Sequence, residues 1–216
     1  MRYLVRPMCI GDLPQVNDID RVCFPTQWPT LSFRRELVSN RLSHYLVVLE
    51  NGTRVTELEG VSNDTGSRSV DRFPERLRRF FFADRKPEPT TQERILGMVG
   101  FWTMADEAHI STIGVRPAYR RQGLGELLLI SAIELAQTLN ATIVTLEVRA
   151  SNVPAQSLYE KYGFTRVGVR KSYYNDREDA LIMTTDTISS GAFQNHFQRL
   201  RQVHVETWGP TACWLT

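Results

Sequence analysis

Three stretches of the sequence hold residues whose types and spacing could do chemistry, and the first is suited to binding a pyrophosphate. It runs from Arg120 and Arg121 through Gln122 to Gly123 and Gly125, between a predicted strand and a predicted helix. Glycine lets the backbone pass close to a ligand, and a helix start offers unpaired N–H groups and a positive dipole end. A basic tight turn before a helix is the alternative. The Lys-Ser/Thr of a Walker loop and the GxGxxG spacing of a dinucleotide-binding fold are both missing.

The second stretch contains a carboxylate that could serve as a general base. Glu147 lies near the carboxyl end of a predicted strand whose other residues are mostly apolar. Partial desolvation there predicts a raised pKa, which suits a group that accepts a proton near neutral pH. An ion pair with Arg149 or with another surface charge is the alternative. Asn152, which follows, could cap a helix and could also hydrogen-bond an amide ligand.

The third stretch, residues 158–164, contains a phenol that could serve as a general acid. Leu158 and Tyr162 fall on the apolar face of a short predicted helix, and Gly163 suits its C-terminal cap. Tyr159 lies one position off that face. A Tyr hydroxyl with a pKa of about 10 can protonate a departing thiolate, whose thiol has a pKa of about 8.5. Packing in the core is the alternative.

The elements that must position these stretches follow from hydrophobic periodicity and turn residues. Predicted helices begin with the capping or first residues Asp12, Thr30, Gly123 and Asn152. Predicted strands cover residues 3–6, 44–49, 95–102, 108–115, 141–148, 164–170 and 179–185. The turn pair Asn51-Gly52 is expected to end the second of these strands.

Two segments lie outside this regular pattern. Residues 51–94 are predicted to be an insertion with one basic amphipathic helix, which either packs on the parent domain or serves as a lid or a contact for an acidic partner. The apolar stripe of this helix consists of Phe73, Leu77, Phe80 and Phe81. Residues 187–216 are predicted to be a C-terminal extension with apolar residues at helical spacing, namely Phe193, Phe197 and Leu200.

Composition excludes several classes of protein. The chain has 216 residues, 42% of them hydrophobic and 23% charged, which is typical of one folded domain with extensions and argues against disorder. A net charge of +2 gives no electrostatic case for direct nucleic-acid binding, and no window has the ~20 apolar residues of a membrane span. The start of the chain shows no targeting signal. Widely spaced cysteines and histidines without metal-ligand spacing point to metal-free chemistry in a reducing cytoplasm.

In their order and spacing, the three stretches resemble one family. Residues 115–125 are similar to the acetyl-CoA motif of the GNAT superfamily of N-acetyltransferases. Within that superfamily the chain resembles the ribosomal-protein-alanine N-acetyltransferases of the RimI type. This second resemblance rests on residues 146–152, Ala155, 158–160, 163–164, 170–174 and 178–180, and on Cys23-Phe24-Pro25, Trp28, Phe33 and Glu36-Leu37. It covers residues 1–50 and 94–185.

The resemblance implies a fold and a way of binding acetyl-CoA. The fold is a mixed α/β (α+β) GNAT domain over residues 1–186, with a central, mostly antiparallel sheet flanked by helices. Two neighbouring parallel strands, ending at Val115 and Glu147, splay apart there and admit the acetyl-CoA. The implied pyrophosphate and pantetheine contacts are Ile113, Gly114, Val115, Arg120, Arg121, Gln122, Gly123, Leu124, Gly125, Glu126 and Asn152. In the family pattern the N–H of Val115 polarises the thioester carbonyl.

The resemblance also implies a reaction. An acetyl group passes from acetyl-CoA to a protein N-terminal amine, with Glu147 as the general base, Tyr159 as the general acid and no metal. The family's usual substrate is the N-terminal alanine of small-subunit ribosomal protein eighteen. Two alternatives stay open, namely action on other protein N-termini or a small-molecule amine, and a non-catalytic module that binds CoA or the ribosome. Neither nucleic acid nor a membrane is an expected partner.

Overall fold

The computed structural model describes residues 2–24, 32–55 and 92–213. The chain divides into two compact units, residues 1–51 with 95–216 and residues 52–94. The predicted amphipathic helix with its stripe from Phe73 to Phe81, the predicted cap Thr30 and Trp28 lie outside the described residues.

The centre of the fold is an eight-stranded sheet with the strand order β6-β7-β5-β4-β3-β2-β1-β8. The strands are β1 (Tyr3–Pro7), β2 (Ser43–Val55), β3 (Gln92–Met104), β4 (Glu107–Val115), β5 (Ile143–Arg149), β6 (Phe164–Arg170), β7 (Ala180–Thr185) and β8 (Ala212–Cys213). The pairs β1–β2, β3–β4, β5–β7 and β6–β7 are antiparallel, whereas β4–β5 and β1–β8 are parallel. The predicted mixed, mostly antiparallel sheet is therefore confirmed.

Helices cover both faces of this sheet. In the described part of the chain they are α1 (Leu13–Cys23), α2 (Phe33–Ser39), α3 (Leu124–Thr138), α4 (Val153–Lys161) and α5 (Gly191–Trp208). Side-chain oxygens that accept from backbone N–H groups cap three of them, at Ser32, Asn152 and Ser190. The predicted cap at Asn152 is thus confirmed, and Gly163 takes the left-handed conformation just past α4.

Two local predictions were wrong. The strand predicted to end at Asn51-Gly52 continues to Val55, because β2 and β3 are hydrogen-bonded neighbours of thirteen residues each and the chain does not reverse at this pair. Asp12 precedes α1 as predicted, but its carboxylate makes no capping bond. It instead accepts from the Arg6 guanidinium at 2.8 and 2.9 Å and from the Cys9 N–H at 2.8 Å, so its acceptor positions are already occupied.

Alternation along the strands divides the apolar core into two clusters, one on each face of the sheet. Leu4 belongs to the cluster that also contains Val16 and Ile19 of α1. Val5, the next residue, belongs to the larger cluster with α3, α4 and α5. Each large apolar side chain that is fully buried in these clusters stabilises the fold by ~1.5–3 kcal/mol relative to an exposed one.

The segment after Asp186 is packed into the same unit as the preceding residues. Phe193, Phe197 and Leu200 of α5 are buried in the larger cluster, so their helical spacing reflects a core-facing stripe. Beyond α5 the chain reaches β1, where β8 adds a parallel edge strand. The limit at residue 186 stays a prediction, and α5 and β8 belong to the same compact unit as the preceding strands. No helix in residues 2–24, 32–55 and 92–213 is long and apolar enough to cross a membrane.

Candidate active site

The site is built where two parallel strands separate. β4 and β5 pair from Glu107 with Ile143 to Ile110 with Leu146, and the pairing ends there. At the same point β4 contains one extra residue, Ser111. Its neighbours Ile110 and Thr112 pair with Phe101 and Gly100, which are consecutive in β3, so Ser111 has no partner in the register. A β-bulge bends its strand and ends regular pairing. The gap between residues 111–115 of β4 and 147–149 of β5, called the fork below, is the splay that the family resemblance predicted.

A cavity of about 320 Å³ opens at the fork. Four of the predicted site residues line it: Ile113, Glu147, Asn152 and Tyr159. Other lining side chains were not among the predicted site residues, namely Cys23, Phe24, Trp102, His109, Tyr173 and Tyr174. The wall therefore combines apolar and aromatic side chains with several polar groups, which suits a site that binds and orients a small molecule.

Glu147 is a charged residue that lines the cavity with its side chain almost fully buried. Its side chain is only 8% exposed, and its two oxygens lie 2.9 Å from His109 Nε2 and 3.0 Å from Arg170 Nε. Burial favours a higher pKa of this carboxyl, but the hydrogen bond and charge of His109 and the charge of Arg170 outweigh it, so the pKa of Glu147 is lowered. The predicted raised pKa was wrong. The alternative pairing with Arg149 was also wrong, since Arg149 bonds Asp176 and Glu178.

A chain of hydrogen bonds continues from Glu147 away from the cavity. His109 Nδ1 lies 2.9 Å from Thr145 Oγ1, and the Thr145 hydroxyl donates to Glu107. Because the Thr145 hydroxyl proton is donated to Glu107, Thr145 Oγ1 must accept from His109 Nδ1–H. The contact between His109 Nε2 and Glu147 then needs one proton of its own. The chain ends at Glu107, whose side chain is 39% exposed.

Tyr159 is both a core residue and a wall of the cavity. It is buried, and its ring lies 5.8 Å from that of Phe164. Burial strongly raises the pKa of its phenol, so the hydroxyl is protonated at physiological pH. The packing alternative and the cavity position are therefore compatible, because the ring packs while the residue still lines the cavity.

Residues 120–126, which were predicted to bind the pyrophosphate, lie at the start of α3. Arg121 and Gly123 have positive φ angles of 60° and 75°. The backbone therefore turns sharply just before α3, whose first N–H groups have no partner within the helix. Arg121 is exposed to solvent, whereas Leu124 is buried in the core and can offer only its backbone. Gly125 has an open position, since an added Cβ would meet nothing closer than 4.0 Å.

Three polar side chains of this predicted set have protein partners. Arg120 donates through Nε to the Val115 carbonyl at 3.2 Å. The carboxylate of Glu126 accepts from Lys161 at 2.5 Å and from the Tyr162 hydroxyl at 2.8 Å. The Gln122 side chain accepts from the Tyr3 hydroxyl at 3.1 Å. These side chains make contacts within the protein, so the candidate anion donors of the loop are its backbone N–H groups.

The β4 residues of the fork direct donors into the gap. Arg116 N–H bonds the Leu96 carbonyl of β3 at 2.8 Å. Because N–H groups alternate sides along a strand, the N–H groups of Val115 and Ile113 face the fork. At Gly114 an added Cβ would lie 3.3 Å from Cys23 Sγ and from the Phe24 ring, a tight contact that these side chains would have to move to relieve.

Sequence reasoning missed the groups that reach Glu147 from other strands. His109 precedes the fork on β4, and Arg170 ends β6. An alternation of polar residues in β4 is the only local signal of His109, and a lone histidine on such a strand does not reveal its partner. Tyr174 was quoted for the resemblance without a role, and its ring lies 3.9 Å from the Arg149 guanidinium.

Comparisons with known proteins agree with this geometry. The model of the Acetyltransferase (GNAT) family matches residues 57–164. A Bacillus subtilis protein named as a candidate ribosomal protein bS18-alanine N-acetyltransferase is 35% identical over 83% of this chain and 92% of its own. An N-alpha-acetyltransferase of Saccharolobus solfataricus is 26% identical over 84% of this chain and 91% of its own. The crystal structure of the ribosomal-protein-S18-alanine N-acetyltransferase from Escherichia coli has a TM-score of 0.62 and 24% identity, covering 88% of this chain and 96% of that one.

Proposed function

Because the chain belongs to the GNAT family of acetyltransferases, we propose that it acetylates the N-terminal alanine of ribosomal protein bS18 with acetyl-CoA, in the cytoplasm. The observation that supports this most is the fork, where one cavity is lined by a buried carboxylate, a protonated phenol and strand N–H groups. The Bacillus subtilis relative, at 35% identity over most of both chains, supports the choice of substrate.

Acetyl-CoA would bind along β4 and at the start of α3. The N–H groups of residues 122–126 would bind the pyrophosphate, since a helix start attracts anions. The pantetheine would pair with the backbone of residues 113–115 and contact Asn152. The thioester carbonyl would then lie near the Val115 N–H, which would stabilise the oxyanion of the tetrahedral intermediate.

The amine must lose a proton before it can attack. An α-amine has a pKa of ~7.7–8.0, so most of it is protonated at neutral pH. Glu147 would accept this proton directly or through a water molecule. The chain through His109 and Thr145 to Glu107 offers that proton a route to an exposed carboxylate.

The remaining steps close the reaction without a metal. The neutral nitrogen attacks the thioester carbon, and the tetrahedral intermediate collapses with cleavage of the carbon–sulfur bond. Tyr159 would donate its phenolic proton to the departing thiolate, because its raised pKa keeps that proton in place until a base forms. The acylated nitrogen would release its second proton as the amide forms, and this proton would restore the phenol. In the described ranges 2–24, 32–55 and 92–213, no group of three or more His, Cys, Asp or Glu side chains could hold a metal ion.

The size of the cavity favours a small first residue. About 320 Å³ is near the lower end for ligand sites, which are usually ~300–1,000 Å³. The acetyl group and the end of the pantetheine would fill part of this space, so alanine or serine fits better than a long side chain. Action on a wider set of protein N-termini is the second candidate, favoured by the likeness to the Saccharolobus solfataricus N-alpha-acetyltransferase.

A steady-state assay of CoA release tests these statements. The acceptors are peptides beginning with Ala, Ser or Met, the intact ribosomal protein, and spermidine as a small amine. We expect the Ala peptide from bS18 to have the highest kcat/KM and a peptide acetylated beforehand to give no release. Similar rates with all three peptides would favour the wider activity, and preference for spermidine would refute the peptide substrate. Binding of acetyl-CoA without turnover of any amine would support a non-catalytic module.

A further inference from the structure

The pyrophosphate loop, residues 120–124, is contacted by two elements from distant parts of the chain. Tyr3 of β1 donates its hydroxyl to Gln122 at 3.1 Å. From the other end of the chain, α5 brings His204 and Trp208 to Gly123. Gly123 is the residue whose left-handed backbone starts α3, so α5 acts on the point where the loop turns into the helix.

His204 makes a directional contact with this turn. It is buried, with 4% exposure, and its Nε2 lies 3.1 Å from the Gly123 carbonyl oxygen. A carbonyl oxygen only accepts, so Nε2 of His204 is the donor. The same oxygen accepts from Leu127 N–H at 2.9 Å, which is the first hydrogen bond of α3. His204 therefore fixes the orientation of the Gly123 peptide group together with the helix.

Trp208 packs against the same residue. A Cβ built on Gly123 would lie 2.7 Å from both Cδ1 and Nε1 of the indole and 2.8 Å from Cδ2. These near-equal distances place the ring face against the glycine, where no side chain would fit. Trp208 is the last residue of α5 and is 38% exposed, so it is not a member of the buried core clusters.

The helix that presents both residues is firmly attached. Phe193 and Phe197 are buried in the larger core cluster, with ring centroids 6.0 Å apart. Arg201 forms an ion pair with Glu134 of α3 at 2.7 Å. Because α5 is fixed to the body of α3, its contacts with Gly123 determine the position of the loop relative to the helix that it begins.

We propose that His204 and Trp208 are positioning residues for acetyl-CoA, which set the conformation of Gly123 and so aim the loop N–H groups at the pyrophosphate. This inference rests on the proposed function, because the loop is taken to bind acetyl-CoA. It makes the C-terminal segment part of the acetyl-CoA site. Neither residue contacts the reacting atoms, so both act on binding and not on the chemical step.

Two variants of equal bulk test the hydrogen bond. His204→Gln keeps an N–H donor and His204→Leu removes it. We expect the Kd and the KM for acetyl-CoA to rise about tenfold in His204→Leu, as for the loss of one buried hydrogen bond, and less than threefold in His204→Gln. The kcat and the KM for the peptide should stay within twofold of wild type in both. Trp208→Ala should raise the Kd similarly, with Trp208→Phe closer to wild type and Val203→Ala, on the exposed side of the same helix, unchanged.

Hydrogen exchange of the ligand-free protein gives a second readout. We expect amides of residues 121–127 to exchange faster in His204→Leu than in His204→Gln. An equal Kd for the Gln and Leu variants, or unchanged loop exchange in the Leu variant, would overturn the positioning role, whatever the change in melting temperature. A wild-type protein that does not bind acetyl-CoA would overturn the proposed function and, with it, this role. If the wild type and His204→Leu bind acetyl-CoA with the same Kd, the positioning role alone would be overturned.

Discussion

Replacing Glu147 by glutamine separates basicity from packing, because the side chain keeps its shape and loses its charge. The carboxylate oxygens lie 2.9 Å from His109 Nε2 and 3.0 Å from Arg170 Nε. An amide can accept at only one of these positions and presents N–H to the other donor. A charge-assisted hydrogen bond contributes ~1.5–3 kcal/mol to stability. The Arg170–Glu147 pair contributes less than this, because the Arg170 side chain is 55% exposed to solvent. The free energy of unfolding should therefore fall by about 1–2 kcal/mol, which a domain of ~5–15 kcal/mol tolerates.

The loss of catalysis should be larger than this loss of stability. Removal of a general base typically costs ~10²–10⁴ in rate, or about 2.7–5.4 kcal/mol of barrier. We therefore expect kcat with the Ala peptide to fall by roughly that factor at pH 7, with the Kd for acetyl-CoA within about twofold. Asp12→Asn is a matched control, because the Asp12 side chain is also 8% exposed and paired with an arginine but does not line the cavity. A folded Glu147→Gln protein with kcat close to wild type would refute the base assignment.

The same variant tests the electrostatics of Glu147. Its folded-state pKa is lowered from the ordinary value of 4.5. A lowered pKa contributes stability above the unfolded-state pKa, and that stability is lost as the pH falls through the folded-state pKa. The difference in the free energy of unfolding between wild type and Glu147→Gln should thus be largest at neutral pH and shrink below about pH 4.5. Urea unfolding from pH 3 to 7 measures it, and a difference that does not change with pH would contradict the lowered pKa.

Three further changes probe other parts of the molecule. Tyr159→Phe should lower kcat, and the loss should shrink with an acyl donor whose thiol leaves more easily; normal kcat with lower melting temperature would support a packing role only. His109→Phe removes the largest influence that lowers the pKa of Glu147, so the acid limb of the pH dependence of kcat/KM should move to higher pH, and an unmoved limb would exclude coupling of the pair. Replacing residues 56–91 by a short Gly-Ser turn between β2 and β3 should leave a folded protein that binds acetyl-CoA by calorimetry, and an insoluble or non-binding product would show that this segment belongs to the core.

Local sequence signals were sufficient for the elements and for part of the candidate site. The apolar stripe of α3, the glycines before it and the cap at Asn152 are determined by neighbours a few residues away, so each could be inferred from spacing. The order of the three stretches then gave the family, and with it the fork between β4 and β5. A fork cannot be derived from periodicity, because strand pairing and its end at Ile110 and Leu146 are properties of the assembled sheet.

The wrong pKa of Glu147 shows where local reasoning stops. In the sequence its neighbours on β5 are apolar, and desolvation was the only visible influence. In the fold, His109 comes from β4 and Arg170 from β6, and both stabilise the charged form. The contacts of α5 with Gly123 were invisible for the same reason, since His204 is separated from its partner by 81 positions. Helical spacing showed that α5 has a buried face but not what its end touches.

The bulge at Ser111 explains why one strand can serve both halves of the proposed reaction. Before the bulge β4 is paired with β5, and this pairing sets His109 beside Thr145 at the end of a hydrogen-bonded chain to Glu107. After the bulge the same strand is open, and its N–H groups face the fork instead of a neighbouring strand. In the proposed reaction, proton removal from the amine would use the paired part of β4, and stabilisation of the oxyanion would use its unpaired part. Deleting Ser111 removes the bulge, so β4 should continue its pairing with β5 and close the fork. We expect this deletion to abolish acetyl-CoA binding and turnover together. Loss of turnover alone, with acetyl-CoA binding intact, would show that the fork opens without the bulge.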